Sequence, residues 1–595
     1  MHLIGRRPWF AAAAASCLLA LSGVASPARA ASADDQFKAL TQRFISEYGM
    51  YSPVGATLLG DHVHDADLDD MSDAGRARAL AWVRDLQGVL GSIDRTKLSR
   101  ANQVDAAVLD NQLRYSVWTE EKFRNWSWDP LVYTGLTGNA LYSLLAREYA
   151  PWPQRLRAVA SRLEALPRLY EQTRANLVPA RVPSINAETA VKQNPGVLSL
   201  IDELVVPHLD SLPADDRARL ERAIATAKSA VETHQKWLET ELVPNAKGEF
   251  RIGAALYDEE LSYALMSPLT RTEIRRRADA AVVETRSQMY ATARKVLAGR
   301  AGAPATPDTP TADQQQAAIR AALELAYADR PARDDVLPAA RRALEETTAF
   351  VRAKSLVTLP TEPLDIIVMP EFQRGVAVAY CDPPGPLDKG QHTFYAISPI
   401  PNDWTDQQVT SFLREYNTRS IADVTIHEAM PGHYLQLAHA NQYPSVLRAM
   451  LYSSPFVEGW AVYTERMMAD QGFRGDDPLM RLIQLKWYLR SATNAIIDSA
   501  IHVDGMTRDE AMKLMTETGF QEEREAAGKW VRAQLTSAQL STYFVGYQEH
   551  ADLRRDGEAR AGKSFDLHAW HDKVLSFGSP PVRFVRELLF DEPIK

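Results

Sequence analysis

Thr425-Ile426-His427-Glu428-Ala429-Met430-Pro431-Gly432-His433 places two histidines around a glutamate, on a run that begins as a helix and cannot continue as one. Two histidines that share an ion from one helix stand at i and i+4, about 40° apart at roughly 100° per residue. Here they stand at i and i+6, which on a straight helix is about 240° apart and about 9 Å along the axis. Pro431 lacks an amide proton, and in a helix its ring would meet the carbonyl of His427. Gly432 tolerates dihedrals that other residues avoid. The spacing therefore predicts a break between the histidines that returns His433 to the place of an i+4 residue. A third donor, Glu458, follows in Phe456-Val457-Glu458-Gly459-Trp460-Ala461-Val462-Tyr463. Zinc takes imidazole nitrogen and carboxylate oxygen, and a catalytic zinc keeps three protein ligands and leaves a position for water. Glu428, next to the first ligand but not one itself, has the place of the base for that water. The competing reading is one ligand plus an ordinary polar histidine on a broken helix.

His427-Glu428-Ala429-Met430-Pro431-Gly432-His433-Tyr434-Leu435-Gln436, followed by Glu458-Gly459-Trp460-Ala461-Val462-Tyr463-Thr464-Glu465, resembles the bacterial "domain of unknown function 885" family, regarded as zinc peptidases. More distantly it is similar to the glutamate-zincins of the thimet oligopeptidase and angiotensin-converting-enzyme type. Weaker parts of the resemblance are Pro53–Gly60 and Phe565–Asp572. The resemblance implies a mostly helical peptidase fold with a central cleft, but no defined substrate. In the similar oligopeptidases, tyrosines of a late helix stabilise the tetrahedral intermediate. Tyr543, with Tyr547 near it, is the matching candidate here, since a phenol can donate a hydrogen bond to a developing oxyanion.

Outward from the motif, apolar residues recur at three and four through 35–48, 74–90, 155–177, 215–242 and 269–297, which predicts a mainly α chain. Pro167 is expected to kink or split the third helix. Gly302 to Asp313 is too rich in Pro and Thr to be helical. The expected organisation is a signal peptide over 1–30, an N-terminal helical half over 31–300, a linker over 301–315 and a metal-binding helical half over 316–595. Leu364–Met369, Val376–Tyr380 and Thr393–Ile397 read as short strands just upstream of the metal helix. An exposed edge there could bind an extended peptide through its main chain; a purely structural hairpin is the alternative.

Arg490, Asn494, Asp498 and His502 follow at i, i+4, i+8 and i+12 in an otherwise apolar helix, and a buried polar stripe needs partners. Arg490 and Asn494 are read as a structural network, and His502 as an orienting group or oxyanion donor near the metal. Glu465 is either a carboxylate that orients a ligand histidine or a solvated charge. His439 is a rival ligand of lower rank.

Arg6-Arg7, the apolar run Phe10 to Val24 and Ala28-Arg29-Ala30 form a secretory signal, so the mature chain is expected to be periplasmic or secreted. The Ala14-Ala15-Ser16 that precedes Cys17 is a poor lipidation signal. Cys381 is the other of two cysteines, so no disulfide is expected within the mature chain. A net charge of −9 argues against nucleic acid or an anionic membrane as partner. The reading is a zinc-dependent metallopeptidase (Zn2+ on His427, His433 and Glu458, with Glu428, Tyr543 and His502 in catalysis) acting on short peptides. Its rivals are a zinc amidase acting on cell-wall or other non-peptide amides, and a catalytically dead helical binding protein.

Overall fold

A computed structural model describes residues 31–594 except 376 and 476; the expected signal segment, with Cys17, lies outside the described residues. Helix accounts for 71 % of the structure. Many helices start where the side chain of a Ser or Thr accepts a backbone N–H, as at Ser32, Ser72, Ser99, Thr270, Thr311 and Thr405. The helix Trp152–Asn176 runs through Pro167 and is not split there. Among the described residues no helix is long and apolar enough to cross a membrane.

One large apolar core takes in buried residues from Tyr257 to Val585. It is built around α1 (Arg271–Leu297), α2 (Thr418–Glu428), α3 (His433–Ala440), α4 (Ser454–Asp470), α5 (Pro478–His502), α6 (Glu523–Leu535) and α7 (Ser541–Ala561). α5 is buried almost all round, its polar stripe included. It packs along α1, and α4 packs along α7. Gly302 to Asp313 is indeed largely free of helix, but it joins α1 to the helix Ala312–Tyr327, which packs on it in the same core. Its Pro and Thr content reports a loop; which elements share a core depends on the faces that meet. Smaller cores hold the helices before residue 245.

α4 and α7 cross at two glycines. A Cβ on Gly546 would lie 1.9 Å from the Pro455 carbonyl oxygen, and one on Gly459 would lie 2.5 Å from the Gly546 Cα. Only glycine permits that approach, which brings Tyr543 of α7 toward Glu458 of α4.

The sheet has the order β1-β3-β2, with β1 (Leu364–Val368) parallel to β3 (Thr393–Ile397) and β2 (Ala379–Asp382) antiparallel to it. β2 is thus an edge strand, and it starts later than the apolar run suggested. Its far end is held by the N-terminal helices: Arg147 donates to the Asp382 carbonyl at 2.7 Å, and Tyr142 Oη to the Asp382 carboxylate at 3.2 Å.

Candidate metal centre

The helix breaks where the sequence requires. α2 ends at Glu428, Ala429 leaves helical dihedrals, and α3 begins at His433. Ala429 and Met430 both donate to the Thr425 carbonyl, at 2.9 and 3.1 Å. Gly432 has φ −78° and ψ −127°. Its reason is space: a Cβ would sit 1.9 Å from the His427 carbonyl oxygen. Trp460 Nε1 of α4 donates to the Pro431 carbonyl at 2.9 Å and pins the loop against the helix that carries Glu458.

The break brings His427, His433 and Glu458 together, the one convergent group of three potential donors found among the described residues. Glu458 Oε2 lies 3.5 Å from His427 Nε2 and 3.4 Å from His433 Nε2. Donors about 2.1 Å from one ion at tetrahedral angles stand about 3.4 Å apart. The two imidazole planes meet at 83° with ring centres 4.7 Å apart. Glu458 Oε2 and His433 Nδ1 are buried without a hydrogen bond. Orphaned acceptors are rare in native structures and need a cause, and an ion would satisfy this one. The residues present therefore fit zinc. Burial raises the Glu458 pKa, but the two imidazoles outweigh it and hold the carboxyl well below its usual range.

Behind the three donors, His427 Nδ1 bonds Glu465 Oε1 at 2.6 Å, and the Glu465 side chain is buried. Glu465 is therefore no solvated charge, and its bond to Nδ1 leaves Nε2 of His427 facing the other two donors. Asp423, one turn before His427, is buried with both oxygens unpartnered. Burial, then Glu465, push its carboxyl well above the usual range.

A cavity of about 80 Å³ opens beside His427. Glu428 borders it together with His427, and so do Ala377, Val378 and Ala379 at the edge of the sheet. Tyr543 borders it too, its ring 6.1 Å from that of His427. Its oxygen accepts from Arg532 at 2.9 Å, and burial raises its pKa, so the phenol keeps its proton. Tyr547 instead packs on Tyr488 and borders a different cavity. His439 is bonded to the Thr358 carbonyl at 2.8 Å.

Arg490 of the α5 polar stripe bonds Glu525 of α6, as a structural network would, but the stripe meets the cavity at its start and not at His502. Arg490 and Asn494 line the cavity. His502 does not: its Nε2 faces the carbonyls of Ala533 and Thr536, both at 2.9 Å, and its ring packs near Phe250 and Tyr257. Twelve residues of helix span about 18 Å, and the cavity reaches only the first part of that length. Sequence reasoning also missed Lys529 and Arg532 of α6, which line the cavity. A signal was present. Glu525, Lys529 and Arg532 stand at i, i+4 and i+7 on a helix whose other buried residues are Ala526 and Ala533, so its inner stripe is charged.

The family model for bacterial proteins of unknown function designated DUF885 matches residues 53–589. The chain belongs to that family. No curated protein matches it. Among solved structures it is similar to a candidate lipoprotein of unknown function from Shewanella oneidensis. The identity is 33 %, the TM-score 0.76, and the match covers 93 % of this chain and 99 % of the other. A candidate lipoprotein from Colwellia psychrerythraea shares the fold at 18 % identity and a TM-score of 0.74, over 94 % of this chain and 99 % of the other.

Proposed function

We propose that this member of the DUF885 family is a zinc-dependent metallopeptidase acting on short peptides. The observation that carries the reading is one juxtaposition: three converging donors with an orphaned acceptor among them, and a separate carboxylate, Glu428, bordering the cavity beside them. Zinc held by His427, His433 and Glu458 would supply an acidified water and a Lewis acid for the scissile carbonyl. Glu428 takes the proton of the attacking water and returns it to the leaving amine. Tyr543, kept protonated by burial, donates to the developing oxyanion. Glu465 holds the proton on His427 Nδ1 and so keeps Nε2 free to bind. The chain entering β2 supports a substrate laid in extended form along Ala377 to Ala379. The small cavity supports short peptides over folded proteins.

The apolar segment after Arg6-Arg7 supports export, and the description of the similar structures as candidate lipoproteins agrees with it.

The test separates base from ligand. Glu428→Gln keeps size and hydrogen bonding but cannot accept the proton. It retains zinc and fold, and turnover of a mixed peptide library, followed by mass spectrometry, falls ~10²-fold or more. Glu458→Gln loses zinc affinity itself. Near wild-type turnover by Glu428→Gln sinks the mechanism.

A further inference from the structure

Three cations face the cavity beside the ligand cluster: Arg490 of α5, and Lys529 and Arg532 of α6. Positive charge has no part in holding a metal cation, and burying it unpaired is unfavourable. Arg490 is bonded to Glu525, which also accepts from Tyr416 Oη at 2.9 Å. Arg532 donates to Gln539 Oε1 and Tyr543 Oη, both at 2.9 Å and both neutral. Lys529 is only 4 % exposed, and among the described residues its ammonium makes neither a hydrogen bond nor an ion pair. Nε of Arg490, Nε of Arg532 and Oδ1 of Asn494 are also buried and unpartnered. Glu428 and Glu465 border the same cavity but bond none of the three cations, and Glu465 is engaged with His427. Glu525 is thus the one carboxylate bonded to the group. Burial, with Arg490 and Arg532 beside it, holds the Lys529 amine well below its ordinary value. An incoming anion would restore its charge.

We propose that Lys529, with Arg490 and Arg532, receives the free C-terminal carboxylate of the substrate, so that the bond cut lies within a few residues of the C-terminus. The proposal rests on the peptidase reading and names its substrate class. Reach supports a site near the end of a short peptide: a single side chain, Tyr543, joins the two sites, with its ring 6.1 Å from that of His427 and its oxygen 2.9 Å from Arg532. Extended chain covers about 3.5 Å per residue. An acidic side chain would offer the same chemistry, and the test separates the two sources.

Zinc-loaded Glu428→Gln, which binds without turnover, is titrated calorimetrically with three peptides of one sequence: a free acid ending in an apolar residue, its C-terminal amide, and an amide ending in glutamate. The free acid binds at least ~10-fold tighter than the plain amide, the scale of a charge-assisted hydrogen bond. The glutamate amide binds like the plain amide. Equal binding of acid and amide overturns the proposal, and tight binding of the glutamate amide overturns the C-terminal assignment. Adding Lys529→Met brings the acid to within about threefold of the amide, while the melting temperature of the ligand-free protein does not fall, because a buried amine without a hydrogen bond is replaced by an apolar side chain of similar length. A fall in melting temperature with the acid preference intact makes Lys529 structural and overturns the proposal. Wild-type enzyme then distinguishes the two levels. Acid-selective binding without cleavage of any peptide defeats the peptidase reading and leaves the carboxylate site standing. Equal cleavage of acid and amide does the reverse.

Discussion

Two clusters of histidine and carboxylate in this molecule use similar groups to different ends. In the first, His62 Nδ1 lies 3.0 Å from Asp65 and Nε2 lies 3.1 Å from Asp388. Asp65 also accepts from Thr57 Oγ1 at 2.9 Å and Tyr149 Oη at 2.7 Å. Protons bridge these contacts, and the cluster ties the N-terminal helices to the loop after β2. In the second, Glu458 stands 3.4 and 3.5 Å from two imidazole nitrogens, and its Oε2 is left without a hydrogen bond. Contacts of about 3 Å are closed by hydrogen, whereas three donors about 3.4 Å apart enclose the place of an ion. Residue type does not tell the two apart; spacing and hydrogen-bond satisfaction do.

The largest effect expected from this contrast is on metal content. His433→Ala falls from about one zinc per chain to none, whereas His62→Ala keeps its zinc, as read by elemental analysis after dialysis. Loss of zinc from both variants would erase the distinction. The second effect is graded. Glu465→Gln leaves the ligands in place but weakens the acceptor on His427 Nδ1, so zinc affinity in a chelator competition falls about 10- to 100-fold. Unchanged affinity would make Glu465 a passive neighbour.

The smallest effect is one of pH. Burial opposes a charge on His62, but Asp388 and Asp65 outweigh it and push its pKa up to about 9. A raised value means that the folded state holds the proton more tightly. The stabilisation is therefore complete below about pH 6.5, the unfolded value, and is lost as pH rises through about 9. His62→Gln lowers the melting temperature by a few degrees at pH 6, and the gap to wild type closes by pH 10. A gap that stays constant across that range would mean that His62 acts through packing alone.

How far the site could be read in advance differed from residue to residue. The break at Pro431 and Gly432 was legible because a missing N–H and a missing Cβ act within a few residues of chain. Glu458 was legible by donor type once the histidines were placed. The helical periods and the three strands were legible as well, because local alternation reports which face is buried. The α5 stripe was not. Four polar residues on one face are equivalent by spacing, yet Arg490 meets a cavity and His502 meets two carbonyls. Tyr543 and Tyr547 separate in the same way, four residues apart on α7 and bordering different cavities.

By itself, then, the sequence determined a mainly helical chain, a helix broken between two histidines, and the donor types that gather around the break. These follow from backbone sterics and periodicity, which act over a few residues. Only the tertiary structure decided that Glu465 turns inward to His427, that β2 is an edge beside the cavity, and that Lys529 and Arg532 bring positive charge to its wall. Each of these depends on which helix faces meet, and that is set by close approaches such as Gly459 against Gly546, between segments far apart in the chain. A residue's own neighbours in sequence carry no record of such a contact.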